Sequence, residues 1–153
     1  MAITFDKTGC GPANGCISIN SLNRAYVLSN VLDLTAETVL TTTDIYQCLA
    51  IPADTQVLQV KIEILTPAVG SALTCSVGHG GVAAGWYANT LDLKASAGVF
   101  ATSVCGTDAN AVANNLGFFY DAADSIDITL NTVTAITAGP KVRISAICFD
   151  FNA

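Results

Sequence analysis

The chain has 153 residues, which is the length of one domain, and only 12% of them are charged, with a net charge of −6. Its six basic residues are scattered rather than clustered, so we discount sequence-independent nucleic-acid binding, which needs several phosphate contacts from grouped cations. A hydrophobic share of 52% with so few charges predicts that part of the surface is buried against copies of the chain or another protein.

The first 22 residues contain glycine and proline but no sustained hydrophobic period, which predicts an extended N-terminal arm at 1–22 ahead of a single domain at 23–153. Phe5 and Lys7 are the candidate interface residues of this arm, which would become ordered on binding a neighbouring subunit. The alternative is a disordered tail without a role. The segment lacks the charged-then-apolar pattern of a secretory signal, which predicts a protein made and used without export.

From Arg24 onward the chain shows the pattern of strands. RAYVLSNVLDLTA alternates loosely, and its β-branched and Asn content favours a strand over a helix, which is the alternative. TTTDIYQCLAI at 41–51 follows and ends in a turn at Pro52. The side chains expected on one side of the first strand are Tyr26, Leu28, Leu32 and Leu34.

The clearest strand is QVLQVKIEI at 56–64, where apolar and polar residues alternate as in a strand with one buried face. A turn at 66–70 then leads to LTCSV at 73–77, which is predicted to pair with this strand as a hairpin. Residues 78–87 are predicted to form a glycine-rich loop. The side chains expected to face the core from the clearest strand are Leu58, Val60, Ile62 and Ile64.

The predicted loop carries an aromatic doublet, Trp86 and Tyr87, which are candidate interface residues because such rings can anchor a protein or stack on a sugar. Capping of the core is the alternative. His79, the chain's one histidine, is expected at or near the surface of the loop. No nucleophile elbow or triad partner accompanies it, so the sequence predicts no catalytic site.

The second half of the chain continues with strands. Residues 91–93 are predicted as a short turn or helix, and 99–104, 126–130 and 141–149 as strands. Asp121, Asp124 and Asp127 are expected to be solvated acids in a hairpin turn, with a weak metal site as the alternative. Short strands separated by Gly, Pro, Asn and Asp turns predict an all-β fold, an antiparallel β-sandwich or barrel.

The six cysteines are expected to be free thiols rather than ligands, and no cofactor or metal is predicted. Cys48 and Cys75 occupy apolar positions of predicted strands, and Cys148 is compatible with one, so they are expected to be buried. A disulfide between Cys10 and Cys16 is the alternative for the N-terminal pair. A zinc site would require close cysteine pairs such as CxxC, which the sequence lacks.

The longest stretch without a charge, residues 64–91, has about the length of a membrane span. Pro67 and several glycines interrupt it, so it cannot form a stable apolar helix, and no membrane association is predicted.

Several segments together resemble small structural proteins of tailed bacteriophages, a cyanophage among the candidate sources. They are TTDIYQCLAIPADTQVLQVKIEI, TCSVG, the aromatic GWYANTLDL, and the closing ADSIDITL and KVRISAICFD. The resemblance extends over about residues 24–151 and points to capsid decoration (cement) proteins or head-fibre proteins.

The resemblance implies a jelly-roll-like sandwich that forms a homo-oligomer, most often a homotrimer, on the capsid exterior, with the major capsid protein as partner. It also implies assembly in the cytoplasm of a bacterial host and no enzymatic activity. A head-fibre or receptor-binding module that contacts host glycans is the alternative function, and a glycan hydrolase is a third.

Overall fold

The computed structural model describes residues 24–37, 39–80, 83–104 and 117–151, and for residues 24, 83–86 and 99–104 it describes the backbone alone. The predicted N-terminal arm at 1–22 therefore lies outside the described residues. Strands form within the described ranges as follows: β1 (Arg24–Asp33), β2 (Ile45–Ile51), β3 (Thr55–Thr66), β4 (Val69–His79), β5 (Ala83–Asp92), β6 (Gly98–Val104), β7 (Phe118–Tyr120), β8 (Asp124–Ala138) and β9 (Lys141–Asp150).

These strands form two antiparallel sheets packed as a sandwich. Sheet A has the order β1-β9-β3-β6, with the short β7 also paired to β3, and sheet B has the order β2-β8-β4-β5. Leaving β7 aside, this is the order of an eight-stranded jelly roll, in which the chain passes repeatedly between the two sheets. The predicted all-β, jelly-roll-like sandwich is confirmed. None of the residues that the structure describes forms a helix long and apolar enough to cross a membrane.

The core lies between the two sheets and is built from every second residue of the central strands. Val60, Ile62 and Ile64 of β3 are at most 1% exposed, and polar residues occupy the positions between them. Full burial of each such side chain contributes roughly 1.5–3 kcal/mol. Further core residues from the other strands are Leu49, Ile51, Leu73, Val77, Ile126, Ile128, Leu130, Val142 and Ile144.

One predicted core position is wrong by a single residue. Val57 is completely buried, whereas Leu58 is only half-buried. The reason is a register irregularity between Val57 and Gln59 in the pairing of β3 with β9, where the extra residue reverses the alternation. The simple two-residue period of the sequence therefore extends only from Val60 to Ile64.

The predicted hairpin between β3 and β4 is also wrong. β3 pairs with β6, β7 and β9 in sheet A, whereas β4 pairs with β5 and β8 in sheet B. The turn at 67–68 carries the chain across the sandwich, and buried Ala68 donates its backbone N–H to the carbonyl of Leu93 at 3.0 Å. Alternation shows which face of a strand is buried but does not identify the strand beside it.

The predicted glycine-rich loop at 78–87 is largely strand. β4 continues through His79 and β5 begins at Ala83, so Trp86 and Tyr87 lie on a strand. The predicted turn or helix at 91–93 holds only in part, because β5 extends through Asp92 and the chain turns from Leu93, which is buried. Strand pairing with β4 supplies the backbone partners that the glycine content alone does not reveal.

Three of the cysteines fulfil the prediction of buried free thiols. Cys48, Cys75 and Cys148 are free and buried in the core, while Cys10, Cys16 and Cys105 lie outside the described residues. Burial raises the pKa of the Cys75 thiol to about 12 and those of Cys48 and Cys148 to about 11. At neutral pH these three thiols are therefore protonated and poorly nucleophilic.

We expect Cys48, Cys75 and Cys148 to resist a thiol reagent in the folded protein at pH 8 and to react completely once the chain is unfolded in denaturant. Peptide mass spectrometry of the labelled protein identifies each site. Rapid labelling of these three residues without denaturant would contradict their position in the core.

Candidate interaction surface

One end of the sandwich combines exposed apolar residues with a buried cluster of aromatic rings. We call it the β7 end, because β7 lies there together with the start of β1, the start of β3 and the end of β9. The described residues that border positions 1–23, 81–82, 105–116 and 152–153 all belong to strands or turns at this end. The outer face of sheet A and a buried polar cluster between the sheets meet here.

The outer face of sheet A is apolar at the β7 end. Val27 of β1 lies directly opposite Ile147 of β9, and the two side chains are 65% and 38% exposed. Phe119 and Phe151 are 46% and 42% exposed and form an edge-to-face pair with ring centroids 5.8 Å apart. We call this surface the apolar half; its residues are Ala25, Val27, Phe119, Ile147, Phe149 and Phe151.

The same face is charged towards the other end of the sheet. Lys141 lies 2.8 Å from Asp33, Arg143 lies 3.2 Å from Glu63, and Lys61 lies 3.9 Å from the same Glu63 carboxylate. The hydrogen bond from Lys141 lowers the pKa of Asp33 to about 2, with help from Thr35. Three cations face two carboxylates here, because Lys61 and Arg143 share Glu63, so the excess of positive charge on this surface is a single charge.

The outer face of sheet A is therefore apolar at one end and charged at the other. Exposed apolar side chains that lie side by side are energetically unfavourable in water and commonly mark a protein-binding surface. The ion pairs are well solvated and contribute little binding energy of their own. The apolar half is therefore the part of this face best suited to hold a partner.

A buried cluster of rings joins the two sheets behind the apolar half. The imidazole of His79 stacks on Phe118 with centroids 4.3 Å apart and meets the edge of Tyr120 at 5.7 Å. The Tyr87 hydroxyl forms a 2.9 Å hydrogen bond with that of Tyr120. His79 and Tyr87 belong to sheet B and the other two to β7, so the cluster fastens β7 to the opposite sheet.

The prediction of His79 as a surface residue of a loop is wrong. It is only 8% exposed and continues the inward phase of β4, two residues after Val77. Its Nδ1 lies 3.8 Å from the Asp124 carboxylate, which also sits over Gly80. A Cβ at Gly80 would lie 2.5 Å from that carboxylate, so any other residue here would require the Asp124 side chain to move.

The prediction of three solvated acids holds only in part. Asp121 is exposed and Asp124 is half-buried, but Asp127 is 8% exposed on β8, between β2 and β4. Its carboxylate accepts a 2.7 Å hydrogen bond from Ser125. Burial raises the pKa of Asp127, and the neighbouring Asp124 raises it further, while Ser125 and His79 oppose the shift. Three or more potential metal ligands do not come together anywhere in the described part of the chain.

The candidate interface residues differ in how far the structure describes them. Phe5 and Lys7 lie outside the described residues, and Trp86 is described by its backbone alone. Tyr87 is 1% exposed and therefore lies in the core, in agreement with the alternative that the aromatic doublet caps the core. An interface role for Trp86 remains a prediction.

The sequence reasoning missed the apolar half. The sequence did contain a sign of it. Val27 and Ile147 are apolar, yet the residues before and after each of them point into the core, so these two side chains must point outward. Apolar residues in the outward phase of a strand indicate a covered outer face. Phe119 and Phe151 carried no such signal, because β7 has only three residues and Phe151 lies beyond the end of β9.

Comparison with solved structures shows that the fold recurs in phage capsids. The chain superposes on a chain in the capsid of Ralstonia phage GP4 with a TM-score of 0.62 and 12% identity, over 86% of this chain and 88% of that one. For a chain in the cyanophage Pam1 capsid asymmetric unit the values are 0.59 and 19%, over 98% and 99%. For one in the acidic stable capsid structure of Helicobacter pylori bacteriophage KHP30 they are 0.58 and 16%, over 84% and 89%.

The scan against protein-family models and the search of curated proteins find no match. At identities below 20%, the structural similarities establish the architecture and leave the role of the chain to be argued separately. The chain shares its jelly-roll fold, over most of its length, with proteins present in three phage capsid structures.

Proposed function

We propose that the protein is a non-enzymatic decoration (cement) protein, which binds the exterior of a phage capsid shell and joins neighbouring subunits of the major capsid protein. The main support is the extent of the fold similarity, since the matched regions include 84–98% of this chain and 88–99% of the capsid chains. Shared architecture over whole chains favours a shared role in a particle more than similarity of an isolated domain does.

The composition and the apolar half agree with this role. A rigid sandwich with one apolar outer surface suits a protein that covers other subunits, and its 12% charged residues solvate a free monomer poorly. We therefore propose that the protein is a homo-oligomer, a homotrimer in the first instance, on the virion exterior after assembly in the host cytoplasm. Repeated weak contacts around such an oligomer raise avidity well above that of one contact.

Within this proposal the apolar half faces the shell, and the N-terminal arm reaches an adjacent subunit through Phe5 and Lys7, with Trp86 as a further contact. Nucleic acid and membrane have no part in it. The exposed Phe119–Phe151 pair would also suit stacking on a sugar, which is the observation that favours the alternative of a head-fibre or receptor-binding module.

We expect particles that lack the protein to lose DNA at lower temperature and under milder osmotic shock, and added protein to restore them. A protein that binds only the assembled shell stabilises that state by mass action. Deleting residues 1–18, or replacing Phe119 by Ser, should weaken shell binding at least several-fold without unfolding the sandwich. Co-sedimentation with stripped particles measures the binding, and DNA release on heating measures the protection.

Ile45→Ser is the matched control, because Ile45 is 62% exposed but lies on sheet B, away from the apolar half. Its binding to particles should remain as in the wild type. Particles that lack the protein, survive heating unchanged and fail to adsorb to host cells would instead support the receptor-binding role.

A further inference from the structure

Strand β1 is an open edge of sheet A. It spans ten residues and pairs with β9 without any register shift, whereas the pairings of β3 with β9 and β8 with β4 each contain irregularities. Among the described strands, none pairs with the other side of β1. Between Arg24 and Asp33 it contains neither a charge nor a proline, which are common devices against edge pairing. The Asn30 side chain lies at this edge and donates to the Cys48 carbonyl of β2 at 2.8 Å, so a partner strand has to displace its contact with the edge.

One hydrogen bond shows which backbone groups face this edge. The Val31 N–H donates to Asn30 Oδ1 at 2.8 Å, so it points away from β9. In antiparallel pairs, alternate residues direct both N–H and C=O to the same neighbour. The backbone groups of Ala25, Val27, Ser29 and Asp33 therefore point to the open edge together with those of Val31.

We propose that β1 pairs with β1 of a second copy of the chain, antiparallel about a two-fold axis, so that sheet A continues from one copy into the next. Antiparallel pairing about a two-fold axis perpendicular to the sheet keeps the outer faces of both copies on the same side, so that the exposed side chains of one β1 lie beside those of the other.

The side chains select a register centred on Ser29. In that register, residues that point outward in one copy lie opposite residues that point outward in the other. Ser29 faces the partner's Ser29 on the axis, and Val27 faces the partner's Val31 on both sides of it. Val27 and Val31 are 65% and 38% exposed in the single chain, and β-branched residues form favourable cross-strand pairs. This register also pairs β1 over its length from Ala25 to Asp33.

This contact does not depend on the proposed role at a capsid, and it differs from any contact around a threefold axis. In a trimeric protein it would link one trimer to the next. On a surface crowded with copies, the high local concentration would favour it even where pairing in dilute solution is weak.

Disulfide cross-linking tests the proposal through Ser29→Cys. Residues in a hydrogen-bonded antiparallel pair have Cα atoms about 5.5 Å apart, and a disulfide spans about 4.4–6.8 Å. We expect mild oxidation of the full-length variant to give a covalent dimer that reducing agent reverses. The wild-type protein measures how much covalent dimer the native cysteines form. Ser145→Cys is the matched control, because Ser145 lies opposite Ser29 on β9, one strand further from the edge.

A second change keeps the test decisive. Adding Val31→Lys to Ser29→Cys should reduce the dimer at least several-fold, because the lysine would face the partner's Val27, while Val69→Lys at a distant exposed site should not. Circular dichroism verifies that each variant is folded. The proposal is wrong if folded Ser29→Cys gives no more dimer than Ser145→Cys. It is equally wrong if dimer appears only after residues 1–18 are deleted, since the chain's own N-terminus would then cover the edge.

Discussion

Replacing Ile62 by Asp is expected to leave the protein unfolded. Ile62 is completely buried on β3, in register with Ile144 of β9 on one side and Ala101 of β6 on the other. An unpaired carboxylate in such surroundings costs far more than an exposed one. Lost burial adds to that cost, and the sum is comparable with the entire stability of a domain, roughly 5–15 kcal/mol. Far-UV circular dichroism and urea unfolding of the purified variant measure the loss.

Lys61→Ser is the control at the adjacent position. The Lys61 side chain is 45% exposed, and its 3.9 Å contact with Glu63 is solvated, so we expect a change in unfolding free energy within about 0.5 kcal/mol. Equal damage from the two substitutions would mean that the inward and outward faces of β3 are assigned the wrong way round.

The second large effect is expected at Tyr87, whose ring fills the space between the sheets at the β7 end. Tyr87→Ala should lower the unfolding free energy by about 3–5 kcal/mol, the usual range for removing a large buried aromatic side chain. Tyr87→Phe keeps the ring and removes only the hydroxyl that meets Tyr120, which should cost about 1 kcal/mol. Urea denaturation of both variants gives the two values.

The ratio of the two effects separates packing from hydrogen bonding. A loss below about 1 kcal/mol for Tyr87→Ala would show that the ring is not part of the core. In that case Tyr87 would be available, like Trp86, for the interface predicted from the aromatic doublet.

The sequence predicted the strands better than their partners. Alternation in residues 60–64, 126–130 and 141–148 located three central strands and their buried faces, because burial on one side of a sheet imposes a two-residue period. It could not show that β3 pairs with β9 rather than with β4. The β4 and β9 segments both alternate apolar and polar residues, so this pattern does not distinguish one as the neighbour of β3. The turn at Pro67 decides the outcome, because it carries the chain from one sheet to the other.

The candidate surface was less accessible from sequence for a similar reason. The apolar half is assembled from β1, β7 and the end of β9, and β1 ends at Asp33 whereas β7 begins at Phe118 and β9 at Lys141. Val27 alone suggests only a single exposed valine, and its neighbours become known once the register with Ile147 is known. His79 was within reach, since it continues the inward phase of β4, but the surrounding glycines suggested a loop.

The pairing of β1 with β9 also determines when the protein can fold during synthesis. Arg24 lies opposite Asp150, so β1, the first strand of the described chain, can pair in sheet A only after β9, the last one, has been synthesised. A ribosome that makes the chain from its N-terminus exposes β1 and β3 before their shared neighbour β9 exists. Folding dominated by such distant pairings is slow. A chain cut short before Lys141 cannot complete sheet A, and β1 and β3 stay without their shared neighbour until β9 has been made.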